Sequence, residues 1–340
     1  MSETPRARGL RVTAKAMETS SNSSLFRVRQ IADGVEAKPA SKTYGDGLKL
    51  NPQPSKGYYY WLMAPAILLL AAISLYPFFW MIYMSLNDVD VGSIKWNNFA
   101  NYTKLLTDAK FWNGWKLLLY YSALCLSLQI IIGVFLALVL NNSRYEKVLV
   151  TALLMPMMMA PVVAGMVWYF LYNGTFGWYH WIFESLGILG EKSILADIRT
   201  AMWGIVLVDV WQWTPLITLI TLAGLKRVPQ DQLEANMVDG ASPIRNFLAI
   251  TLPNLYPVLL IAIMLRFMDN FRFIDSAMVL TAGGPADSTK ILPIYLFDVS
   301  FRFTALGRAA AIALILLIVT IIFGKLLVRV FDRQQPSSTH

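Results

Sequence analysis

Residues 234–253 read EANMVDGASPIRNFLAITLP. The stretch carries a Glu, an Asp, an Arg and two Asn, yet apolar runs long enough to cross a bilayer flank it on both sides. Its local signals predict two short helices. Just upstream, Pro229 suits a first helical turn, where a missing N–H costs nothing. Asp231 and Glu234 complement the positive end of that helix, and Gly240 ends it. Ser242 is placed to cap a second helix, with Pro243 at its first position. There Ile244, Phe247, Leu248, Thr251 and Leu252 recur at the spacing of one helical face, which predicts that this face is buried. Pro253 and Pro257 are expected to end the second helix before the next apolar run. Ala235, Gly240 and Ala241 are small enough to let another backbone approach closely, and Asp239 stands at the corner, where it can accept backbone N–H groups or an Arg. The segment therefore reads either as a rigid knob that takes force from a moving partner or as an ordinary, well-capped loop.

Working outward, the chain predicts an all-α polytopic membrane protein. Of its 340 residues 56% are hydrophobic and 15% charged, with mean hydropathy +0.51. Soluble domains carry about 25% charged residues. A span needs about 20 mainly apolar residues, and six segments qualify: 58–86, 114–141, 148–172, 200–224, 256–280 and 306–331. The first opens with the aromatic interface sequence YYYW at 58–61. Residues 1–57 are polar and lack the apolar core of a signal peptide, so a disordered cytoplasmic tail is expected there. Residues 58–331 are expected to form the six-span transmembrane bundle with its hairpin at 228–253, and 332–340 a second short tail. With both termini inside, the inner segments flanking the spans hold 12 Lys and Arg and the outer ones 7. This bias predicts cytoplasmic N- and C-termini and puts the 234–253 hairpin in the cytoplasm.

Several function classes fall away. Ten of the 29 Lys and Arg lie in the first 57 residues, so the net charge of +8 reflects a membrane flank rather than a nucleic-acid surface. With two histidines and one cysteine, Cys125, no HExxH, CxxC or Cys/His cluster is available to hold a metal. The one Gly-Lys pair, Gly324-Lys325, is followed by Leu326, so there is no Walker A loop. No convincing nucleophile–base pair stands out, so no catalytic residue is assigned. If transport uses ATP, another chain hydrolyses it.

The pattern Glu234-Ala235, Asp239-Gly240-Ala241, Ile250, Leu252-Pro253 closely resembles the EAA loop of binding-protein-dependent ABC importer permeases. That signature reads E-A-A, three residues, G, nine residues, I-x-L-P; here Asn236 replaces the second Ala. A second stretch, 265–297, resembles the carbohydrate (maltose-type) branch of the family. There a charged, aromatic fifth span runs into a T-x-G-G-P turn, here Thr281, Gly283, Gly284 and Pro285, followed by Ser288-Thr289. Together with the six-span layout, the resemblance covers residues 58–331. It implies an ABC importer type I permease fold in the bacterial inner membrane. It implies a second homologous permease subunit, two ATPase subunits that hold ATP and Mg, and an extracytoplasmic solute-binding protein as partners. It also implies that Glu234, Ala235, Asp239, Gly240, Ala241 and Ser242 couple to the ATPase.

Ionisable residues inside a span cost at least about 2.5–3.5 kcal/mol each at a helix centre and normally face a bundle interior or a wet cavity. The fifth span carries Arg266, Asp269, Arg272 and Asp275. Arg266, Asp269, Asn270 and Phe273 share one helical face, and Asp209, Trp211, Gln212 and Trp213 lie at comparable depth in the fourth span. A sugar site needs flat aromatics against C–H faces and polar groups to replace hydroxyl hydration. Trp211, Gln212, Trp213, Arg266, Asp269, Asn270 and Phe273 are therefore the candidate cavity residues, in the zone where the resembled family lines its cavity. Alternatively, Arg266 with Asp269 and Arg272 with Asp275 are i, i+3 pairs that neutralise one another structurally. Three functions stay open at this point: uptake of a sugar, uptake of an anionic polyol facing Arg266, and proton-coupled transport with Asp209 and Asp269 as a relay.

Overall fold

The computed structural model describes residues 56–90, 93–187 and 193–332. The expected tails therefore lie outside the described residues, apart from Lys56 and Gly57 at one end and Asp332 at the other. The chain divides into two compact units, 1–67 and 68–340, and in the first the described residues are the opening turns of helix α1, Lys56–Ser85. The second unit is a helical bundle.

After α1, a two-stranded antiparallel hairpin (β1, Asn87–Asp90; β2, Ser93–Trp96) pairs Asn87 with Trp96, a small addition to the all-α expectation. Asn101, in helix α2 (Ala100–Leu106), fastens it by donating to the carbonyls of Ser85 and Asn87, each at 2.9 Å. Helix α3 (Ala109–Asn141) is a full span. It starts at Asp108, whose carboxylate accepts from the Lys110 N–H at 2.9 Å.

The third span differs from expectation. Instead of one helix over 148–172 there are two arms, α4 (Glu146–Leu154) and α5 (Pro161–Leu171), joined by a 3₁₀ turn, Pro156–Met158, and bent by 94°. The two prolines explain the break. Pro156 has no N–H to continue α4. Pro161 drives the preceding residue out of helical geometry, and Ala160 is extended, at φ −61° and ψ 135°. Backbone freed at such a break inside a membrane must be satisfied by neighbours; Gln212 does so, donating from Nε2 to the Met159 carbonyl at 2.9 Å. Past the span, a short helix α6 (Trp178–Ser185) follows.

Helix α7 (Ala201–Leu225) is the centre of the bundle: 67% of its apolar stretch is buried, against 28% for α3 and 17% for the last helix. It is apolar all round, as a helix enclosed by others must be. The hairpin follows as α8 (Gln230–Val238) and α9 (Pro243–Asn246). Pro253 and Pro257 do not end α9 as expected. A π-helical turn, Phe247–Thr251, carries it into α10 (Leu252–Asn270), so Pro253 and Pro257 both ride inside one continuous helix from Pro243 to Asn270. The fifth span ends at Asn270 rather than 280, and a separate short helix α11 (Asp275–Leu280) packs on α5, with Gly165 so near Ser276 that a Cβ there would lie 3.0 Å from the Ser276 Cα.

The T-x-G-G-P turn forms a closed loop. The Thr289 hydroxyl donates to the Gly284 carbonyl at 2.7 Å and lies 2.7 Å from the Thr281 hydroxyl. Lys290 pairs with Asp287 at 2.7 Å and Asp298 at 3.1 Å, and Arg302 pairs with Asp298 at 3.2 Å. Helices α12 (Leu292–Phe297) and α13 (Leu306–Asp332) complete the chain.

Candidate functional site

Two regions carry the candidate residues. The first is the α8–α9 hairpin. Gly240 occupies left-handed backbone, at φ +77°, a conformation that L side chains reach only with strain. A Cβ there would meet none of the described residues within 4 Å, so backbone geometry rather than space calls for glycine. The corner is closed by N–H donation from Gly240 to the Met237 carbonyl at 3.0 Å and from Ala241 to the Asn236 carbonyl at 3.1 Å. Ser242 caps α9 as expected, accepting from the Arg245 N–H at 3.3 Å. Asn236, the departure from the EAA signature, donates its amide N–H to the Asn246 side-chain oxygen and so ties the two helices together. Sequence reasoning missed this tie; its signal was a polar residue ten positions away on the facing helix. At the base, Lys226 is ion-paired to Glu146 at the start of α4.

The face expected to be buried is not buried within the chain. Thr251 is enclosed, but Ile244 is 73% and Leu248 55% exposed. Val238 and Met237, on α8, are 88% and 56% exposed. Glu234, Ala235, Asp239, Gly240 and Ser242 are exposed as well. The periodicity correctly marks an apolar face, but the described residues do not cover it.

The second region is a polar core where α3, α7 and α10 meet. Arg266 is 2% exposed. Its Nη2 donates to both carboxylate oxygens of Asp209, at 3.1 and 2.8 Å, and to the Asn270 side-chain oxygen at 3.0 Å. Its Nε donates to Gln129 Oε1 at 3.1 Å, and its guanidinium lies 4.8 Å from the Trp213 ring centre. Gln129 completes the circuit, donating from Nε2 to Asp209 at 2.8 Å. Beside it Phe273 stacks on Tyr121 of α3, 4.8 Å between ring centres.

The expected ion pairs are rearranged. Arg266 pairs chiefly with Asp209 and reaches Asp269 only at 3.6 Å. Arg272 pairs with Asp269 at 2.6 Å rather than with Asp275. The cause is the helix break after Asn270, which takes Arg272 and Asp275 off a common helical face. The structure also separates the two tryptophans: residues two apart lie on nearly opposite helix faces. Trp213 meets Arg266, while Trp211 packs on Trp168, 5.5 Å between ring centres, and lines an apolar cavity of about 730 Å³ with Ile132, Leu136, Trp168 and Pro215. Gln212 is occupied at the break in the third span. Arg266, Asn270, Trp213 and Phe273 thus gather around one core with Asp269 at its edge, and Trp211 and Gln212 do not join it. Gln129 and Tyr121 were missed; a lone amide in the apolar run LSLQIII was the available signal for Gln129.

Comparison with known proteins places these features in context. Residues 129–335 match the family described as binding-protein-dependent transport system inner membrane component. A trehalose/maltose transport system permease protein of Thermococcus litoralis is 34% identical over 224 residues, 66% of this chain and 75% of the relative. A trehalose transport system permease protein of Mycobacterium tuberculosis is 30% identical over 81% of this chain and 89% of its own. The fold resembles that in crystal structures of a bacterial alginate ABC transporter. In one the TM-score is 0.70 at 17% identity, covering 82% of this chain and 98% of the other. In another, solved with an alginate pentasaccharide-bound periplasmic protein, the TM-score is 0.68, covering 79% and 92%.

Proposed function

This chain belongs to the binding-protein-dependent transport system inner membrane components and is a multi-pass permease subunit of an ABC importer, and we propose that its cargo is a sugar or sugar derivative. The observation that carries the reading is the polar core of α3, α7 and α10, where Trp213, Phe273, Tyr121 and Asn270 place aromatic rings and amide groups inside a span bundle. Aromatic faces suit the C–H faces of a sugar ring, and amides suit its hydroxyls. The relatives named for trehalose and maltose support the same class.

In this reading an extracytoplasmic binding protein delivers the sugar to this permease and a second, homologous one. Two ATPase subunits bind ATP and Mg on their own chains. Both termini of the permease, and the α8–α9 hairpin, face the cytoplasm. The exposed Met237, Val238, Ile244 and Leu248 supply apolar surface for an ATPase groove, and Glu234, Ala235, Asp239, Gly240, Ala241 and Ser242 form the contact. ATP binding draws the ATPases together and moves the hairpin, and the bundle turns its cavity toward the binding protein. Hydrolysis then resets it. Reconstitution tests this: the full complex in liposomes, given a trehalose-loaded binding protein, takes up trehalose only with ATP. Uptake by the lone chain under a pH gradient, with no ATPase present, overturns it.

A further inference from the structure

We propose that the Asp209–Arg266 pair is a positioning device: it cancels the guanidinium charge and fixes Asn270 as a hydrogen-bond donor, so that the site accepts uncharged sugar oxygens and discriminates against anionic sugars. The inference rests on the sugar reading above and names its substrate class.

The polarity of the core follows from chemistry rather than from the placement of individual amide atoms. A guanidinium has donors and no acceptor, and a carboxylate has acceptors and no donor. The Asn270 atom 3.0 Å from Arg266 Nη2 must therefore be the oxygen, and the NH₂ group must point away from the pair. Gln129 is fixed by the same rule. Its oxygen takes the Arg266 Nε–H and its NH₂ faces Asp209. The network leaves Asn270 Nδ2 fully buried with no hydrogen-bond partner among the described residues. Buried donors of this kind call for an acceptor, and hydroxyl or ether oxygens of a sugar provide one.

Charge points the same way. Arg266 faces Asp209, so the buried pair is neutral, while Arg272, 82% exposed, pairs with Asp269 at the edge. Arg266 is also enclosed by the Trp213 ring and nearly inaccessible. A carboxylate or phosphate entering here would compete with Asp209 for a guanidinium whose Nε and Nη2 donors are already taken.

The test is saturation-transfer NMR on the assembled transporter in nanodiscs, without binding protein, using trehalose and its uronic counterpart, trehalose dicarboxylate, as probes. Wild type is expected to bind trehalose at least about tenfold more tightly than the dicarboxylate. Asp209→Asn unmasks the guanidinium and is expected to shrink that preference by about tenfold, the scale of one charged hydrogen bond. Asn270→Asp keeps an acceptor for Arg266 but removes the donor; in complex shown by denaturant titration to remain folded, it should weaken trehalose binding by about tenfold. A purely structural Asn270 would leave binding intact in that variant. Equal binding of both sugars by wild type, or unaltered trehalose binding by Asn270→Asp, overturns the inference alone. Binding of neither sugar overturns the sugar reading and this inference with it.

Discussion

Gly240 offers the sharpest separation between backbone geometry and partner contact. Its φ is +77° and a Cβ would touch none of the described residues, so the penalty for a side chain is conformational. An L residue in left-handed helical backbone costs about 1–2 kcal/mol, and Asn less because it bonds locally. A penalty of 1–2 kcal/mol shifts a two-state population by a factor of roughly 5–30. If the hairpin works as the coupling element, Gly240→Asn should transport near the wild-type rate and Gly240→Ala should fall several-fold. Gly240→Val, with a β-branched side chain in that region, should lose most of its activity. ATP hydrolysis should continue in all three, because the nucleotide sites are on other chains. The assay is ATP-driven uptake and hydrolysis measured together in proteoliposomes at equal complex content. Full activity in both the Ala and Val variants refutes the conformational argument. Loss in Gly240→Asn as complete as in Gly240→Val shows that the partner's groove, not φ, selects glycine.

Further outcomes follow from the same geometry. Asp209→Leu leaves a buried guanidinium without its counter-charge and should destabilise the bundle by about 3–5 kcal/mol, read by denaturant titration of the purified complex against wild type. Asn236→Ala removes the tie to Asn246 and should cost about 1 kcal/mol of local stability; hydrogen exchange over 230–246 should quicken while exchange in α7 stays unchanged. Gly165→Val brings a Cβ within 3.0 Å of the Ser276 backbone and should cost about 1–3 kcal/mol through overpacking, visible as a lower melting temperature. Lys290 is a pH probe. Its partial burial would lower its pKa, but hydrogen bonds and charge attraction from Asp287 and Asp298 outweigh this and hold it above its ordinary 10.5. A raised cation pKa gives stability that is complete below the ordinary value and lost as pH rises through the folded one. Proteolysis of the 281–302 loop should therefore be flat from about pH 6 to 9 and rise only above 10.5, and Asp298→Asn should move that rise to lower pH.

Much of this architecture was legible because its signals are local. The caps and turn residues of the α8–α9 hairpin, Asp231, Gly240, Ser242 and Pro243, act within a few residues of themselves, and the structure follows them closely. The spans were legible through sustained apolarity. What the sequence hid depends on partners distant in the chain. Nothing near Arg266 says that it will choose Asp209, 57 residues away, over Asp269 on its own helix. Gln129 and Gln212 look alike as amides in apolar runs; one closes an ion-pair network and the other satisfies a broken backbone. Periodicity could mark Ile244 and Leu248 as an apolar face but could not say that the described residues would leave it exposed. Prolines were ambiguous for the same reason: Pro156 and Pro161 break a span, whereas Pro253 and Pro257 ride within one.

The break at 155–160 makes the third span two mechanically separate rods. One rod, α4, is tethered through Glu146 to Lys226, at the root of the hairpin. The other, α5, is seated against α11 at Gly165 and Ser276. Between them lies the 3₁₀ turn Pro156–Met158, followed by Met159, whose carbonyl accepts from the Gln212 amide of α7. A force reaching Lys226 would therefore act on α4 first, with the bend separating it from α5, whereas an unbroken span would carry the same force along its whole length.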